Sequence, residues 1–302
     1  MPRLSIAPLM GYSDRHFRYF LRQLSRKALL YTEMIPAFAL SHGKKFRYID
    51  FDPEEYPLAL QVGGSQPESL AFCAKLASER GFHSINLNVG CPSPRVQEGN
   101  IGLCLLKQPE LVKRCIEAMK AVSSIPVTVK TRIGVDDQDS FEYLCEFIQA
   151  QIEAGVDHVT LHARKGWLAG LSPKENRTLP PLHYDRVYEI RKIFPKLSLG
   201  INGGIQTLEQ AQAHLIQVDE VMMGRAAIDQ PYLFAQADTL IFKETSNILS
   251  REDILDRMKN YLAKEKKLGT PTLSITRHWL GLYAGEPGAK AWRSGISQGR
   301  ME

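Results

Sequence analysis

The sequence is short of cysteine, and its cysteines are not spaced as metal or redox pairs. There are five, an odd number, and no two of them form a CxxC motif. Neither a disulfide framework nor a zinc site is indicated, so we expect no metal. Unpaired thiols are typical of a reducing compartment, which predicts a cytoplasmic protein.

Long apolar runs are missing as well. No stretch reaches the roughly 18 apolar residues that a membrane-spanning helix needs, so we expect no membrane partner. The N-terminal MPRLSIAPLM is too short and too interrupted by proline for a signal peptide, and we interpret it as a first strand. Neither sign of charge dominates, since 38 Lys and Arg oppose 33 Asp and Glu for a net charge of +5. This mildly basic balance allows a nucleic-acid partner without requiring one.

Short apolar runs recur instead, and helical patterns fill the gaps between them. This alternation predicts a parallel sheet, and eight units predict closure into a TIM (β/α)8 barrel. A doubly wound open sheet is the competing fold, but it rarely carries functional residues on so many strand ends. The predicted strands are 4–8, 29–33, 58–62, 84–89, 126–131, 158–162, 197–201 and 220–223.

The alternation ends near Phe234, and only helical signals follow. We therefore predict a barrel over 1–237 and a small helical domain over 238–302. Ser250 and Asp253 form a capping-box-like helix start. The segment 238–302 has 11 Lys and Arg against 8 Asp and Glu, a net of +3. It is either a basic nucleic-acid-binding domain or a solvated helix pair that caps the barrel.

Polar residues and glycines gather at the predicted strand ends, which meet at one mouth of a parallel barrel. Asn202–Gly204 and Gly224–Arg225 are the last two βα loops, where barrels commonly bind phosphate; simple turn glycines are the alternative. Lys130 and His162 end adjacent strands and suit an anionic or carbonyl-rich ring. Gln61 can donate and accept at the edge of a heterocycle such as isoalloxazine.

Cys91 differs from the other cysteines in its location. It lies in the turn GCPS directly after a predicted strand, whereas the others lie in or beside apolar helical stripes. An ordinary thiol is mostly protonated at neutral pH, so it can act as a general acid. A nucleophilic role is the alternative, although no histidine lies close in sequence to act as its base.

Together these motifs resemble the tRNA-dihydrouridine synthase family over nearly the whole chain. The matching segments include LQVGGSQPE, NLNVGCPSPRVQEGNIG, VTVKTRIGVDDQDS, INGGI, MMGR and TRHWLGLYAGEPGAKAWR. The combination of GCPS with the later HAR, NGG and GR is highly specific. The segment ARKGWLAGLSPKENR is similar to the bacterial DusA-type subfamily, which acts on U20 and U20a of the tRNA D-loop.

The resemblance implies an FMN-dependent, NADPH-driven oxidoreductase that reduces the C5–C6 double bond of uridine in tRNA. Hydride would pass from FMN N5 to C6, and Cys91 would protonate C5. The target base would have to leave the folded tRNA, and Asn88 would contact it. The implied FMN contacts are Pro8, Leu9, Met10, Gln61, Lys130, His162, Asn202, Gly203, Gly204, Gly224 and Arg225. The expected tRNA contacts are Lys174, Arg177, Arg277, Lys290 and Arg293.

Two other functions fit parts of the sequence. One is a small-molecule flavin barrel of the dihydroorotate dehydrogenase type, which the basic helical segment disfavours. The other is a non-catalytic RNA-binding barrel, which Cys91 and the full flavin set disfavour. The choice between U20 and U20a, and between NADPH and NADH, stays open, and a monomer is the simplest state.

The chain departs from the family pattern at three places. After Gly224-Arg225 it has Ala226-Ala227-Ile228, where relatives often carry a Glu and a Tyr. The first loop reads PLMGYSD where the family more often has PMMDWTD, so no side-chain role is carried over to Gly11 or Tyr12. The tail after Arg293, SGISQGRME, contains Gly and Ser and is unlike a continuing helix. We therefore expect a reduced contact surface at that end.

Overall fold

The computed structural model describes residues 2–43, 46–245 and 247–299. Positions 246 and 300–302 of the predicted helical domain lie outside the described residues, as do 1, 44 and 45 of the predicted barrel. Parallel strands form the centre of the molecule. They are β1 (Leu4–Ile6), β2 (Leu30–Tyr31), β3 (Ile35–Pro36), β4 (Leu58–Gly63), β5 (Ser84–Val89), β6 (Val127–Arg132), β7 (His158–His162), β8 (Leu199–Asn202) and β9 (Glu220–Met223).

The sheet closes on itself. Its order is β1-β9-β8-β7-β6-β5-β4-β2, with β3 paired to β4, and every pairing is parallel. The ring is completed between β1 and β2, where Ile6 N–H donates to the Leu29 carbonyl at 2.9 Å and Leu29 N–H donates to the Leu4 carbonyl at 3.0 Å. The predicted TIM barrel is therefore confirmed, and the open-sheet alternative is wrong.

One predicted strand is divided. Residues 29–33 were expected as a single strand, but pairing stops after Tyr31 and resumes at Ile35 as β3. The side chains of Thr32 and Glu33 bind backbone groups of other segments. The Thr32 hydroxyl accepts from Gln61 N–H at 3.0 Å, and the Glu33 carboxylate accepts from Gly11 N–H at 2.5 Å. This break lies at the mouth of the barrel, beside the first loop.

The longer helices between the strands, such as those at Pro67–Glu79, Pro109–Lys120 and Phe141–Glu153, cover the outside of the barrel because each buries one apolar face. No helix within the described residues is long and apolar enough to cross a membrane. The α-helices are α1 (Arg15–Leu24), α2 (Ala37–Ser41), α3 (Pro67–Glu79), α4 (Pro94–Gln97), α5 (Pro109–Lys120), α6 (Phe141–Glu153), α7 (Tyr184–Ile193), α8 (Leu208–His214), α9 (Ala226–Asp229), α10 (Ala237–Leu240), α11 (Arg251–Lys267), α12 (Thr272–Thr276) and α13 (Ala289–Ser297). Short 3-10 helices lie at Phe46–Ile49, Pro53–Glu55, Gly102–Lys107, Glu175–Arg177, Pro231–Gln236 and Arg277–Trp279.

The described C-terminal segment is helical, as predicted. The longest of its helices, α11, begins at the capping box of Ser250 and Asp253, where the Ser250 hydroxyl accepts from Asp253 N–H at 3.0 Å. Helix α10 spans the predicted boundary between 237 and 238. The division into two domains therefore stays a prediction.

The expectation for the tail was wrong in one respect, because α13 continues past Arg293 to Ser297. Trp292 and Ile296 are spaced by four residues and so share one helix face. Ile296 is buried, and the Trp292 indole donates to the Trp279 carbonyl at 2.9 Å. Packing of this face outweighs the low helix propensity of Gly295.

Asp14 joins the C-terminal helices to the barrel. It is the N-cap of α1, and its carboxylate accepts from His16 N–H and Phe17 N–H, both at 2.9 Å. The same carboxylate pairs with Arg277 at 2.6 Å and with His278 at 3.1 Å. Burial alone would raise the Asp14 pKa, but His278, Phe17 N–H and Arg277 together hold that pKa far below its ordinary value.

We expect Asp14→Ala to lower the free energy of unfolding by about 1–2 kcal/mol, the usual cost of losing an N-cap. Asp14→Asn keeps a capping oxygen but loses the charge, so its cost should be smaller. Because the Asp14 pKa is lower in the folded than in the unfolded protein, the ionised carboxylate stabilises the fold above about pH 4. This stabilisation is lost as the pH falls and the carboxylate becomes protonated.

Urea denaturation between pH 7 and pH 2 measures both effects. The difference between wild type and Asp14→Asn should shrink toward acid pH. Asp256→Ala, which removes an exposed carboxylate on α11, is the matched control and should stay within about 0.5 kcal/mol of wild type. A difference that grows toward acid pH would contradict this account of Asp14.

Candidate active site

A large cavity of about 1440 Å³ opens at the C-terminal ends of the barrel strands. It is lined by every residue carried over as an FMN contact, from Pro8 to Arg225. Cys91, Asn88, Arg177 and Arg277 line the same cavity. The fold therefore brings together nearly all of the predicted site residues at one mouth.

Three of the predicted tRNA contacts do not line this cavity. Lys174 precedes the 3-10 helix Glu175–Arg177, and only its neighbours Pro173 and Arg177 reach the lining. Lys290 and Arg293 are exposed on α13. These three cations lie on the outer surface of the molecule.

A row of amide side chains crosses the barrel below the mouth. The Gln61 amide donates to Asn86 Oδ1 at 2.8 Å, and Asn86 in turn donates to the Thr128 hydroxyl at 2.8 Å. Asn88 donates to Gln61 Oε1 at 2.9 Å. Gln61, Asn86 and Asn88 are all buried. The row joins β4, β5 and β6 and fixes the orientation of the Gln61 amide.

Asn88 also holds the turn that carries Cys91. Its Oδ1 accepts from Gly90 N–H at 3.1 Å and from Cys91 N–H at 3.0 Å. On the other side, the Cys91 carbonyl accepts from Leu103 N–H at 2.9 Å. Gly102 has φ +68°, and a Cβ there would lie 2.6 Å from the Cys91 carbonyl oxygen, so only glycine allows this approach.

The Cys91 thiol itself is half-buried and makes no hydrogen bond to any residue that the structure describes. Cys73 and Cys115 are buried in helices, and burial raises the pKa of each to about 12. Cys91 is the only one of the five cysteines in the cavity lining. Its location, as the sequence predicted, sets it apart from the others.

Arg132 is a site residue that the sequence analysis missed. Its guanidinium is 3% exposed and donates to the carbonyls of Gly90, Lys165 and Asn176, each at 3.0 Å. It thereby ties the Cys91 turn to the loop that precedes Arg177. Lys130 and Arg132 are two apart on β6 and so point to the same side of the strand, a spacing that could have revealed it.

Lys130 and His162 are half-buried titratable side chains on the adjacent strands β6 and β7. Neither side chain makes a hydrogen bond or ion pair within the described ranges, and His162 Nε2 is a buried atom with no partner. Burial, then Arg132, lowers the Lys130 pKa to about 8. Burial, then Arg132 and Lys130, lowers the His162 pKa well below its ordinary value, so its imidazole is neutral at pH 7.

The last two strands end in free hydrogen-bond donors. The backbone N–H groups of Gly203, Gly204, Gly224 and Arg225 have no partner in the part of the chain that the structure describes. The exposed Arg225 guanidinium is equally free within those residues. Tyr184 positions one loop by donating to the Gly203 carbonyl at 2.6 Å. Such a cradle suits a phosphate group.

Comparison with known proteins places this site in context. Residues 5–302 match the family described as dihydrouridine synthase (Dus). The chain is 53% identical to a tRNA-dihydrouridine(20/20a) synthase of Shewanella oneidensis, over 97% of this chain and 88% of that protein. It is 53% identical to the Synechocystis sp. protein of the same name, over 99% and 89%. The Escherichia coli K12 protein of that name is 52% identical, over 98% and 86%.

Two solved structures share the fold. A mutant of morphinone reductase in complex with tetrahydroNAD aligns with a TM-score of 0.54 and 13% identity, over 83% of this chain and 90% of that one. A 2-naphthoyl-CoA reductase complex aligns with a TM-score of 0.58 and 9% identity, over 78% and 49%. At these identities the likeness shows the barrel fold alone.

We expect Arg132→Lys to lower the free energy of unfolding by about 2 kcal/mol or more. Lysine cannot reach three carbonyl groups at once, and buried acceptors without donors cost roughly 1–3 kcal/mol each. Urea denaturation measures the loss. The control is Arg177→Lys, an exposed arginine of the same cavity, which should change little. If both variants lowered the free energy of unfolding by the same small amount, the Arg132 contacts would contribute nothing to stability.

Proposed function

The chain belongs to the dihydrouridine synthase family, and from that premise we propose that it reduces uridines 20 and 20a in the D-loop of tRNA. The observation that carries the proposal is the arrangement of one cavity-lining cysteine beside unpaired cations and a free phosphate cradle. The names of relatives at 52–53% identity support the same substrate. The family match favours this function over a small-molecule flavin barrel or a non-catalytic RNA-binding barrel.

The donor set of the cavity fits FMN. The phosphate would accept hydrogen bonds from the four free backbone N–H groups of Gly203, Gly204, Gly224 and Arg225. The carbonyl groups and nitrogens of the flavin ring would form hydrogen bonds with Lys130, with His162 and with the remaining amide hydrogen of Gln61. Pro8, Leu9 and Met10 supply one wall, and Asn202 joins two strands by donating to the Met222 carbonyl at 2.7 Å. When bound and reduced by NADPH, FMN supplies the hydride for C6 of the uracil.

Cys91 is the proposed acid. Its thiol gives a proton to C5 as C6 receives hydride, so the C5–C6 double bond becomes a single bond and a thiolate remains. Lys130 and Arg132 both interact electrostatically with Cys91, so two cations lie near the proposed acid. Asn88 holds the Cys91 backbone in place and keeps one amide hydrogen for the uracil.

The proposed tRNA surface surrounds the mouth and extends onto the C-terminal helices. Arg177 and Arg277 line the cavity rim. Lys290 and Arg293 are three apart on α13 and therefore share a face. Lys174, Lys290 and Arg293 make no ion pair within the described part of the chain. Because Lys174, Lys290 and Arg293 have no ion pair among the described residues, they can contact phosphates, which supply most of the affinity for nucleic acids.

We expect Cys91→Ala to slow uridine reduction by about 10²–10⁴-fold, the usual contribution of a positioned acid. FMN content and the rate of flavin reduction by NADPH should be unchanged, because Cys91 acts only in the second half-reaction. Single-turnover reduction of unmodified tRNA measures the effect. Cys145→Ala, a half-buried cysteine of α6, is the control and should react like wild type. Uridine reduction at the wild-type rate by Cys91→Ala would rule out this acid.

We expect FMN to bind less tightly above pH 8. In the free protein the Lys130 pKa is lowered to about 8, whereas a bound carbonyl-rich ring favours the charged ammonium. Binding then takes up a proton above that pH, so the dissociation constant should rise by up to tenfold per pH unit. Fluorescence titration of the flavin-free protein measures it. Lys130→Met should bind weakly with no such rise, and an equal rise in this variant would assign the pH dependence to another group.

A further inference from the structure

The loop Pro8–Asp14 follows β1 and forms one edge of the cavity. Its backbone is closed on itself: the Leu9 carbonyl accepts from Tyr12 N–H at 2.9 Å and from Ser13 N–H at 2.8 Å. Leu9 N–H in turn donates to the Ser13 hydroxyl at 2.9 Å. These bonds fix the conformation of the loop independently of any ligand.

The middle and the C-terminal end of the loop are also anchored to other parts of the chain. Gly11 N–H donates to Glu33 at 2.5 Å, and Gly11 has φ +82°, which a side chain would strain. Asp14 is held by Arg277 and His278 of the C-terminal helices. The loop is therefore a rigid bridge between the barrel mouth and the helical segment.

This rigid loop displays large apolar side chains to solvent. Met10 is 64% exposed and Tyr12 is 43% exposed, and both line the cavity. The Tyr12 ring and hydroxyl have no partner among the residues that the structure describes. Leu273, 54% exposed, lies on the same lining. A fixed backbone that presents unpaired apolar groups at the mouth is typical of a binding surface rather than of packing.

Cations surround these apolar groups. Arg15, Arg95, Arg177 and Arg277 line the same cavity, and Arg95 has no ion pair within the described residues. An aromatic platform among cations is the combination that binds single-stranded nucleic acid, because bases stack on the ring while phosphates meet the charges.

We propose that Tyr12, with Met10 beside it, is the stacking platform for a base next to the uridine that is reduced. The inference rests on the proposed function, since it takes tRNA as the substrate. A base that leaves the folded tRNA separates from its neighbours, and a ring at the mouth restores one of the lost stacking contacts. Tyr12 is thus a positioning residue for the substrate and not a catalytic one.

The test compares Tyr12→Ala, Tyr12→Phe and Phe72→Ala in the FMN-loaded enzyme. Phe72 is 41% exposed on α3, outside the cavity lining, so it controls for loss of an exposed aromatic ring. Tyr12→Ala should raise KM for unmodified tRNA about tenfold or more, because stacking contributes roughly 1–3 kcal/mol per base. Tyr12→Phe keeps the ring and should stay within about twofold, as should Phe72→Ala.

A second readout reports stacking directly. Unmodified tRNA carrying 2-aminopurine beside the target uridine should lose fluorescence on binding wild type and Tyr12→Phe, and lose much less on binding Tyr12→Ala. Flavin reduction by NADPH should keep its wild-type rate in all variants. Slower flavin reduction in Tyr12→Ala, with KM for tRNA unchanged, would assign the platform to the nicotinamide nucleotide instead and overturn the inference.

Different results would contradict the proposed function and the proposed stacking role of Tyr12. If wild type does not reduce uridine in tRNA, the proposed function is wrong and the inference falls with it. If wild type reduces tRNA and Tyr12→Ala matches it in both KM and 2-aminopurine quenching, only the inference is wrong. If Tyr12→Phe is as impaired as Tyr12→Ala, the hydroxyl and not the ring is the binding group, which also overturns it.

Discussion

The position of the Cys91 thiol depends on one carboxamide, that of Asn88. Its oxygen accepts from the backbone of Gly90 and Cys91, and its nitrogen donates to Gln61. Alanine would leave buried donors and an acceptor unpaired, and aspartate would have no hydrogen for Gln61. Because β5 is paired with β4 and with β6, the sheet holds the carboxamide on both sides. The register of the barrel therefore determines where Cys91 lies in the cavity.

The rest of the site consists of positive charges and hydrogen-bond donors, several of which have no partner among the described residues. Lys130 and His162 are half-buried and have no partner within the described ranges, and four backbone N–H groups without a partner belong to residues of the same cavity lining. Burial of such groups costs stability unless a ligand completes them. Arg132 differs, because three carbonyl groups already satisfy it, and its role is to join the Cys91 turn to the loop before Arg177. Lys130, without a partner among the described residues, and Arg132, with three, thus lie two residues apart on β6.

Much of this arrangement could be predicted from the sequence. The alternation of apolar runs and helical stripes predicted the closed barrel, and the residues at strand ends, such as Lys130, His162 and Cys91, predicted the mouth. What could not be predicted depends on contacts between distant segments. The three carbonyl partners of Arg132 and the pairing of Asp14 with Arg277 come from loops that are adjacent only in the folded chain. Likewise, the burial of Ile296 extends α13 past Gly295, which local propensity disfavours.

The most direct test of the central claim is a position-by-position map of dihydrouridine in tRNA from cells that lack this gene, with and without the gene restored. The account predicts that dihydrouridine at positions 20 and 20a disappears without the gene and returns when it is restored, while dihydrouridine at other positions of the D-loop stays unchanged. A map that does not change at positions 20 and 20a, in cells with no second enzyme of this family, would contradict it.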